Sequence, residues 1–563
     1  MIRIALAQIN SCVGDLKNNY YRIARSIALA KSRGAQLVIF PEMATTGYPP
    51  EDLLFKKHFT DEVSEINKKI AHLSNGICVI VGTIEMSGHQ KPFDSALICA
   101  NKKILGAYHK VCLPNYGVFD EKRHFTAGTT PLVLVLNGLS IGLTICEDIW
   151  HDDGPLNRLL DKLSLIINLS SSPYTTTKYK ERLRILKKRA LKYKADIFYV
   201  NMIGGQDELL FDGRSQVITK QGKVAAEAAF FEEDLLLYDC LMKPRKKDSK
   251  RSKQPKIKYV ILNTVMAPGS KPVRKQKAKK IPLIEEIYTA LKIGVHDYAS
   301  KNSFQKVLIG LSGGIDSALT ALVACDALGR ENVVCVTMPS KYSSKGTKKD
   351  AKILANRLGA RVIEIPIQNI FHKFIVDLSP VFKNMPSDST EENIQARIRG
   401  VLLMALSNKF GWLVLSTGNK SETSCGYSTL YGDMAGGLNV LKDIYKTTVY
   451  DLARWRNERD KKPLIPGGIF KRMPSAELRP NQKDQDTLPA YPLLDKILKW
   501  YIEEKLSGAK IIKKGFDRTV VNRVIHMVET SEHKRRQAPP GIKITNVAFG
   551  RDRRFPITNR YRG

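Results

Sequence analysis

The chain has 563 residues, of which 43% are hydrophobic and 26% are charged, and its formal net charge is +35. This length exceeds what one hydrophobic core usually supports, and the composition excludes a disordered protein. No run approaches the roughly 20 apolar residues of a membrane-spanning helix, and the nine cysteines form no CxxC pair. We therefore expect at least two globular domains in the reducing cytoplasm, without signal peptide, zinc ribbon or disulfide framework.

Much of the positive charge lies in two short runs. Residues 243–258 hold nine Lys or Arg and one Asp, and residues 271–280 hold six Lys or Arg and no acid, so together they supply 14 of the 35 net charges. Like-charge blocks of this kind are typically extended and solvated. The sequence thus predicts a basic linker or insert at 243–281 between domains at 1–242 and 282–563. A basic field also favours anionic partners, such as nucleotides or nucleic acid.

The first domain alternates short apolar runs with amphipathic segments, which predicts strands and helices. Strands are predicted at residues 2–9, 36–40, 77–84, 95–100, 132–136, 141–146, 164–170 and 197–202, and helices at 18–32 and 178–194. Loops with Pro, Gly or Asn follow several of these strands, and functional side chains tend to lie in such loops.

The second domain shows its own alternation. Helices are predicted at residues 283–300, 317–329, 347–359 and 393–410, and strands at 307–311, 333–339, 361–367 and 412–418. Wholly apolar strands separated by helices are typical of a doubly wound parallel sheet, a Rossmann-like α/β fold. The basic tail from about residue 530 is expected to lie on this domain.

Three reactive residues stand at the ends of apolar runs in the first domain. Glu42 follows LVIFP, Lys110 lies in AYHKVCLPN, and Cys146 ends IGLTIC. A cysteine mechanism for splitting a carboxamide needs a thiolate, a base that takes and returns a proton, and a cation for the oxyanion. Taken alone, a cysteine at the end of a strand is usually a core residue, a Pro-Glu pair is usually a turn, and a His-Lys pair is usually on the surface. The assignment of an amidase site therefore depends on the local sequences of the three residues and on their order.

Those local sequences resemble the nitrilase/amidase superfamily: FPEMATTGYPPEDLL, YHKVCLPNYGVFDEKRHF and ICEDIW. The resemblance covers residues 1–240 and implies an α-β-β-α sandwich. It also implies that Glu42 is the general base, Lys110 stabilises the oxyanion and Cys146 is the nucleophile.

Further segments point to the amide that is split. NYGVFDE, INLSSSPYTTTK and VNMIGGQDELLFDG resemble the glutaminase domain of glutamine-dependent NAD synthetases. That resemblance implies that Tyr116, Ser172 and Lys178 hold glutamine. The usual SxSP reads SSSP here, so the serine of Ser170–Ser172 that contacts glutamine stays open.

The segment VLIGLSGGIDSALTALVA joins an apolar strand directly to a helix in the second domain. Glycines let the backbone approach a phosphate, and the start of a helix presents unpaired N–H groups to it. The P-loop interpretation fails because no Lys-Ser/Thr pair follows the glycines. An aspartate beside phosphate calls for a bridging Mg²⁺. The predicted ATP-binding residues of this segment are Gly310, Leu311, Ser312, Gly313, Gly314, Ile315, Asp316 and Ser317.

SGGIDS resembles the loop of ATP-pyrophosphatases, which adenylate a substrate oxygen and let a nitrogen nucleophile displace AMP. SDSTEENIQARIRG, LVLSTGNKSETSCGYSTLYGDMAGGLNVLKDIYKT and RMPSAELRPNQKDQD resemble NAD synthetases in particular. The resemblance implies that Thr417 and Lys446 contact ATP and that Asp316 and Glu422 form the Mg²⁺ site. The residues implied for deamido-NAD⁺ binding are Asn393, Arg397, Glu422, Tyr427, His533 and Lys534. Leu430 replaces a lysine of ammonia-dependent relatives, so no charge contact is assigned there.

Together these resemblances imply a homo-oligomeric ligase that amidates deamido-NAD⁺ to NAD⁺ with ATP, Mg²⁺ and ammonia from glutamine. Two alternatives remain: another glutamine amidotransferase of the same ATP-loop class, and a basic tRNA-modifying ATP-pyrophosphatase. The positive charge motivates the second alternative. However, much of that charge lies in the predicted linker and a Glu-Lys-Cys amidase has no place in such chemistry, so neither nucleic acid nor membrane is the expected partner.

Overall fold

The computed structural model describes residues 1–86, 88, 90–159, 163–241, 257–263, 276, 278–383, 385–459 and 462–561. The chain forms two compact units, one of residues 1–206 with 210–280 and the other of 207–209 with 281–563. None of the described helices combines the length and hydropathy that a membrane span requires.

The first unit contains most of the strands. They are β1 (Ile2–Gln8), β2 (Leu37–Ile39), β3 (Cys78–Glu85), β4 (Phe93–Ala100), β5 (Lys103–His109), β6 (Leu132–Leu136), β7 (Leu139–Ile145), β8 (Leu165–Ser170), β9 (Asp196–Asn201), β10 (Ile203–Gln206), β11 (Leu209–Asp212), β12 (Gln216–Ile218), β13 (Val224–Glu227), β14 (Asp234–Cys240) and β15 (Lys258–Leu262). Its helices are α1 (Leu16–Ser32), α2 (Lys57–Leu73), α3 (Glu121–His124) and α4 (Lys178–Tyr193), with 3-10 turns at Glu51–Phe55, Cys146–Ile149 and Pro155–Leu159.

Two sheets face each other across one core. Among the described residues, the first sheet has the order β14-β1-β2-β3-β4-β5 and the second the order β13-β12-β9-β8-β7-β6-β15. Apolar side chains of both sheets, such as Leu6, Ile80, Leu134 and Ile167, form one buried cluster. Helices α1 and α2 cover the outer face of the first sheet, and α4 covers that of the second. The expected α-β-β-α sandwich is confirmed.

The segment predicted as a basic linker or insert contains a strand. Residues 258–262 form β15, which pairs in parallel with β6 at the edge of the second sheet. Val260 and Leu262 are buried between the two sheets because their side chains alternate with exposed ones along the strand. The basic segment therefore includes a structural strand of the first unit, which extends to residue 280. Most of the two charged runs lies outside the described residues.

The second unit has long helices around a short sheet. Its helices are α5 (Leu283–Lys301), α6 (Ile315–Leu328), α7 (Lys345–Leu358), α8 (Gln368–Phe382), α9 (Ser389–Phe410), α10 (Lys420–Cys425), α11 (Lys446–Glu458), α12 (Gly467–Lys471), α13 (Tyr491–Leu498), α14 (Gly508–Ile512), α15 (Arg518–Thr530) and α16 (Glu532–Arg535), and its strands are β16 (Val307–Gly310), β17 (Val333–Thr337), β18 (Arg361–Glu364), β19 (Leu413–Ser416) and β20 (Leu438–Asn439). Short 3-10 turns lie at Arg330–Asn332 and Asp484–Asp486, and a π-helical turn at Lys499–Glu503 follows α13.

The sheet of this unit is parallel, with the order β18-β17-β16-β19-β20 among the described residues. The chain moves from β16 to one side through β17 and β18, and then to the other side through β19. The carboxyl end of β16 is therefore the topological switch point, where open α/β sheets bind their ligands. The expected doubly wound fold is confirmed, and the loop after β16 lies at this point.

The basic tail is an integral part of the second unit. Gly541 forms a β-bridge with Asn439, and Phe549 packs in a core cluster with α13 and α15. The tail therefore completes the core of this unit.

Candidate active sites

Three strand ends bring the predicted amidase residues together. Glu42 follows β2, Lys110 follows β5 and Cys146 follows β7, and all three are buried. The Lys110 Nζ donates a hydrogen bond to Glu42 Oε1 at 2.6 Å. Cys146 has a φ of 39°, in the left-handed region that non-glycine residues rarely adopt. Strained backbone of this kind concentrates at functional sites.

The Cys146 sulfur is a thiol at rest. Burial raises the pKa of Cys146 well above its ordinary value, the Glu42 charge raises it further, and the Lys110 charge opposes both. A thiolate therefore has to be made by proton transfer to a neighbouring base when the substrate is present. Glu42 is the charged neighbour that acts most strongly on this thiol.

Three carboxyl groups surround the ammonium of Lys110. Its Nζ lies 2.6 Å from Glu42, 2.8 Å from Glu121 and 3.3 Å from Asp94. Burial alone would lower the pKa of Lys110, but these acids raise it well above its ordinary value, so the ammonium stays charged. Glu121 lies within the quoted motif VFDEKRHF, whereas Asp94 lies on β4. Sequence reasoning assigned neither residue.

The serines of SSSP have separate partners. The Ser171 backbone N–H donates to Glu42 Oε2 at 2.6 Å, and its hydroxyl donates to the Glu42 carbonyl oxygen at 2.9 Å. The Ser170 hydroxyl donates to Asn168, and the Ser172 N–H donates to Asn201. Ser171 thus holds the Glu42 side chain and backbone in place, a contact the sequence did not reveal.

Tyr116 and Lys178 both lie within electrostatic range of Cys146, because ionisation of that thiol would raise the pKa of each. The Tyr116 hydroxyl donates to Glu147 at 3.0 Å, and the residue is 56% exposed. The Lys178 Nζ lies 4.0 Å from the centroid of the Trp150 ring, and burial lowers the pKa of this lysine. An aromatic hydroxyl and a lysine therefore lie within electrostatic range of Cys146.

The second unit contains a cavity of about 1120 Å³ at the switch point of its sheet. This volume exceeds the roughly 300–1,000 Å³ of most small-ligand sites. The predicted residues that line it are Gly310 to Ser317, Thr417, Lys446, Asn393, Glu422, Tyr427 and Lys534. The cavity can therefore accept a large, nucleotide-sized ligand.

The glycine-rich loop is shaped for close backbone approach. Gly313 has a φ of 85°, and a Cβ there would lie 2.5 Å from the Thr347 carbonyl oxygen. The hydroxyls of Ser312 and Ser317 lie 3.0 Å apart and hold the turn closed. Helix α6 begins immediately after Gly314, so its first N–H groups face the cavity where an anion would bind.

A lysine and two carboxylates meet on the wall of the cavity. The Lys446 Nζ lies 2.5 Å from Asp316 Oδ2 and 3.0 Å from Glu422 Oε1. The Asn419 amide donates to the other Asp316 oxygen at 2.9 Å. Burial raises the pKa of Glu422 to about 7, although Lys446 opposes this. Two carboxylates on the wall of a nucleotide-sized cavity are hard oxygen ligands of the kind that Mg²⁺ prefers.

Comparisons with known proteins match a family model to each part of the chain. A carbon-nitrogen hydrolase family model matches residues 3–243, and an NAD synthase family model matches residues 287–538. The glutamine-dependent NAD(+) synthetase of Thermotoga maritima is 45% identical over 581 aligned residues, covering 100% of this chain and 99% of the relative. That of Aquifex aeolicus is also 45% identical, covering 100% of both chains. This chain belongs to the glutamine-dependent NAD(+) synthetase family.

Solved structures of the glutamine-dependent NAD(+) synthetases extend the likeness to the fold. The enzyme of Acinetobacter baumannii, in complex with ADP, is 40% identical with a TM-score of 0.73, covering 99% of this chain and 98% of that one. The enzyme of Cytophaga hutchinsonii is 21% identical with a TM-score of 0.81 over 99% and 98% of the two chains, which supports the fold alone. Neither the other amidotransferases nor the tRNA-modifying enzymes are favoured by these full-length matches.

In this member of the glutamine-dependent NAD(+) synthetase family, not every predicted dinucleotide-site residue reaches the cavity. The Arg397 Nε donates to the Leu430 carbonyl oxygen at 3.2 Å on an exposed face. The exposed His533 ring contacts the Thr530 carbonyl oxygen. The Lys534 Nζ, by contrast, donates to the carbonyl oxygens of the loop after α10 and lines the cavity. The roles of Arg397 and His533 stay predictions.

The same cavity contains arginines that sequence reasoning missed. Arg399 lines it, donates to the Met338 carbonyl oxygen, and has its pKa lowered by burial to about 10. Arg472 donates to the Gly313 carbonyl oxygen at 3.2 Å and to Asp350 at 2.6 Å. Arg399 is the second arginine of the ARIRG motif and Arg472 opens RMPSAEL. Both motifs are evident in the sequence, but only the fold shows which of their cations line the cavity.

Proposed function

We propose that the first unit releases ammonia from glutamine at Cys146 and that the second unit uses it to convert deamido-NAD⁺ to NAD⁺ with ATP. The observation that supports this proposal most is that one chain holds both a buried Glu-Lys-Cys site and a glycine-rich loop at the switch point of a parallel sheet. Neither site alone makes NAD⁺ from glutamine. Their combination accounts for every reactive group that the reaction needs.

In the glutaminase step, Glu42 takes the proton of Cys146 and the sulfur attacks the side-chain amide carbon of glutamine. The Lys110 ammonium stabilises the resulting oxyanion. Glu42 returns its proton to the leaving nitrogen, the C–N bond breaks, and ammonia departs from a thioester. Water, deprotonated by Glu42, then hydrolyses the thioester to glutamate. Tyr116, and a serine of the SSSP segment, would orient the substrate.

The remaining glutamine contacts follow from charge. Lys178 offers a cation to the substrate's α-carboxylate, and its stacking on Trp150 fixes where that cation lies. Ser172 is the serine proposed for the glutamine contact, since Ser171 already holds Glu42.

In the synthetase step, the carboxylate of deamido-NAD⁺ attacks the α-phosphorus of ATP and pyrophosphate leaves. Ammonia then attacks the adenylated carbonyl carbon and AMP leaves. The N–H groups after Gly314 and the Lys446 ammonium would bind the phosphates. Asp316 and Glu422 would hold Mg²⁺, which when bound offsets phosphate charge. The Acinetobacter baumannii relative was solved in complex with ADP, which supports the binding of an adenine nucleotide.

The positions of the side chains support some of the proposed contacts to deamido-NAD⁺ more strongly than others. Asn393, Tyr427 and Lys534 line the cavity, and Thr417 joins Lys446 on the ATP side. Arg397 and His533 would need a ligand or partner to bring them to the site. The functional domain limits of 1–242 and 282–563 are likewise proposals, with β15 added to the first.

A homo-oligomer is proposed as the working form. Helix α8 and the turn after it expose large apolar side chains, including Phe374 at 48%, Val381 at 71% and Met385 at 73%. Light scattering tests this: a mass of one 63.2 kDa chain would contradict it. A cytoplasmic location stays a prediction.

The function is tested by incubating the protein with ATP, Mg²⁺, deamido-NAD⁺ and glutamine. We expect NAD⁺, AMP and pyrophosphate in equal amounts, with ammonium replacing glutamine as a weaker donor. Formation of ADP and phosphate instead of AMP and pyrophosphate would contradict the adenylation chemistry.

A further inference from the structure

Asp94 is a third carboxyl group in the amidase site that the proposed chemistry does not use. It lies on β4, its side chain is fully buried, and its Oδ2 lies 3.3 Å from Lys110 Nζ. One oxygen of each of Glu42, Asp94 and Glu121 lies within 4.8 Å of the others. One ammonium therefore faces three acids.

The charge of this cluster constrains its protonation. If all three acids were ionised, they and the ammonium would carry a net charge of −2 beside a thiol that has to become an anion. Unpaired buried charge is expensive, and buried acids avoid that cost by keeping their protons. At least one of the three carboxyl groups therefore holds a proton in the resting site.

Hydrogen-bond donors identify which group that is. Glu42 accepts from the ammonium and from the Ser171 N–H, both at 2.6 Å. Glu121 accepts from the ammonium and from the Tyr48 hydroxyl, both at 2.9 Å. Neither oxygen of Asp94 accepts a hydrogen bond from a described residue. Donors stabilise the ionised form, so the proton belongs on Asp94.

The groups that face Asp94 come from several elements. They are Lys110 after β5, Glu42 after β2, Glu121 on α3, and Tyr108 on β5, whose hydroxyl donates to Asp148. Burial raises the pKa of Asp94 well above its ordinary value. The Lys110 ammonium opposes this shift, while the Glu42 and Glu121 anions and a hydrogen bond to Glu42 reinforce it.

We propose that Asp94 is a positioning residue that holds a proton, donates it in a hydrogen bond to Glu42, and so keeps Glu42 as the base for Cys146. The inference rests on the proposed glutaminase function. Asp94 keeps its proton throughout, and no bond of the substrate forms or breaks at it. Loss of that proton at alkaline pH would add a negative charge beside Glu42 and oppose both the thiolate and the oxyanion. Asp94 therefore sets part of the alkaline limb of the glutaminase pH profile.

The test compares Asp94→Asn with Asp94→Ala by glutaminase kcat/KM across pH, with ammonia-driven NAD⁺ synthesis as a check of the second unit. Asparagine keeps a neutral donor, so we expect activity near neutral pH within about tenfold of wild type and an alkaline limb moved to higher pH. Asp94→Ala removes the donor and should cost roughly 10–100-fold more. The exposed Asp61, paired with Lys57, supplies a matched control: Asp61→Asn should leave the profile unchanged.

Two results would overturn the proposal: an Asp94→Asn profile that superimposes on wild type, or a loss equal to that of Asp94→Ala, which would mean that an anion is needed. Infrared difference spectra of wild type minus Asp94→Asn at neutral pH give an independent measure. We expect the carbonyl band of a protonated carboxyl group, and its absence contradicts the proposal even if Asp94→Ala does not fold. Glutaminase activity that survives Cys146→Ala would instead count against the proposed function itself.

Discussion

The glycine-rich loop supplies a prediction whose size can be worked out from the structure. In Gly313→Ala, the added Cβ would lie 2.5 Å from the Thr347 carbonyl oxygen and 2.7 Å from its Cγ2, at a φ of 85°. Left-handed backbone costs a non-glycine residue roughly 1–2 kcal/mol, and overlap in a packed region costs about 1–3 kcal/mol more. The substitution therefore strains the loop by roughly 2–5 kcal/mol.

That strain is relieved by moving the loop away from Thr347, and the N–H groups proposed to bind phosphate move with it. A rise of about 1.4 kcal/mol in the activation free energy lowers a rate tenfold. If the minimum strain of about 2 kcal/mol raises that barrier, we expect kcat/KM for ATP to fall by roughly 30-fold or more. The assay is NAD⁺ formation from ammonia at limiting ATP, with glutaminase activity measured in parallel and expected to persist.

Gly411 at the end of α9 is the matched control. It has a φ of 68°, but a Cβ there would meet nothing within 4 Å. Gly411→Ala thus carries the left-handed cost alone, away from the cavity, and should leave kcat/KM for ATP within about threefold of wild type. Gly313→Ala with wild-type kcat/KM and thermal stability would refute the reasoning.

Two further predictions concern the second unit. Burial raises the pKa of Glu422 to about 7, so protons compete with Mg²⁺ below that pH, and the apparent KM for Mg²⁺ should rise as pH falls through 7; a KM independent of pH would contradict this. Lys420 is fully buried against Asp443 at 2.8 Å and Glu503 at 3.0 Å. Lys420→Met removes the cation beside both buried acids and should lower the free energy of unfolding by about 3–5 kcal/mol in denaturant titrations, whereas Lys57→Met at an exposed site should change it by less than about 0.5 kcal/mol.

Much of the fold could be predicted because buried strands appear in the sequence as short, wholly apolar runs. The run VLIG predicts β16, and its junction with a helix predicts the ATP loop, since both features are local. The strand β15 was missed because two charged runs flank it, and its burial depends on β6, far away in the sequence. The turns and helices after β19 were also missed, because their positions depend on distant contacts.

In the candidate sites, too, local features could be predicted and long-range contacts could not. Glu42, Lys110 and Cys146 could be named because local motifs carry them. Asp94 looks like an ordinary polar residue in a strand, and only the fold places it beside Lys110. Lys420 lies in a polar motif that gives no sign of its burial, and its partner Glu503 is 83 positions away in the sequence. Sequence patterns identify reactive groups well, but they do not show which buried charges those groups share.

The central claim is that two separate sites on one chain cooperate through ammonia. It is tested most directly by Cys146→Ala, assayed for NAD⁺ formation with glutamine and, separately, with ammonium. We expect glutamine-driven synthesis to disappear and ammonium-driven synthesis to remain, while Asp316→Ala abolishes both and leaves glutaminase activity. Equal loss of both nitrogen sources in a folded Cys146→Ala protein would contradict the two-site account.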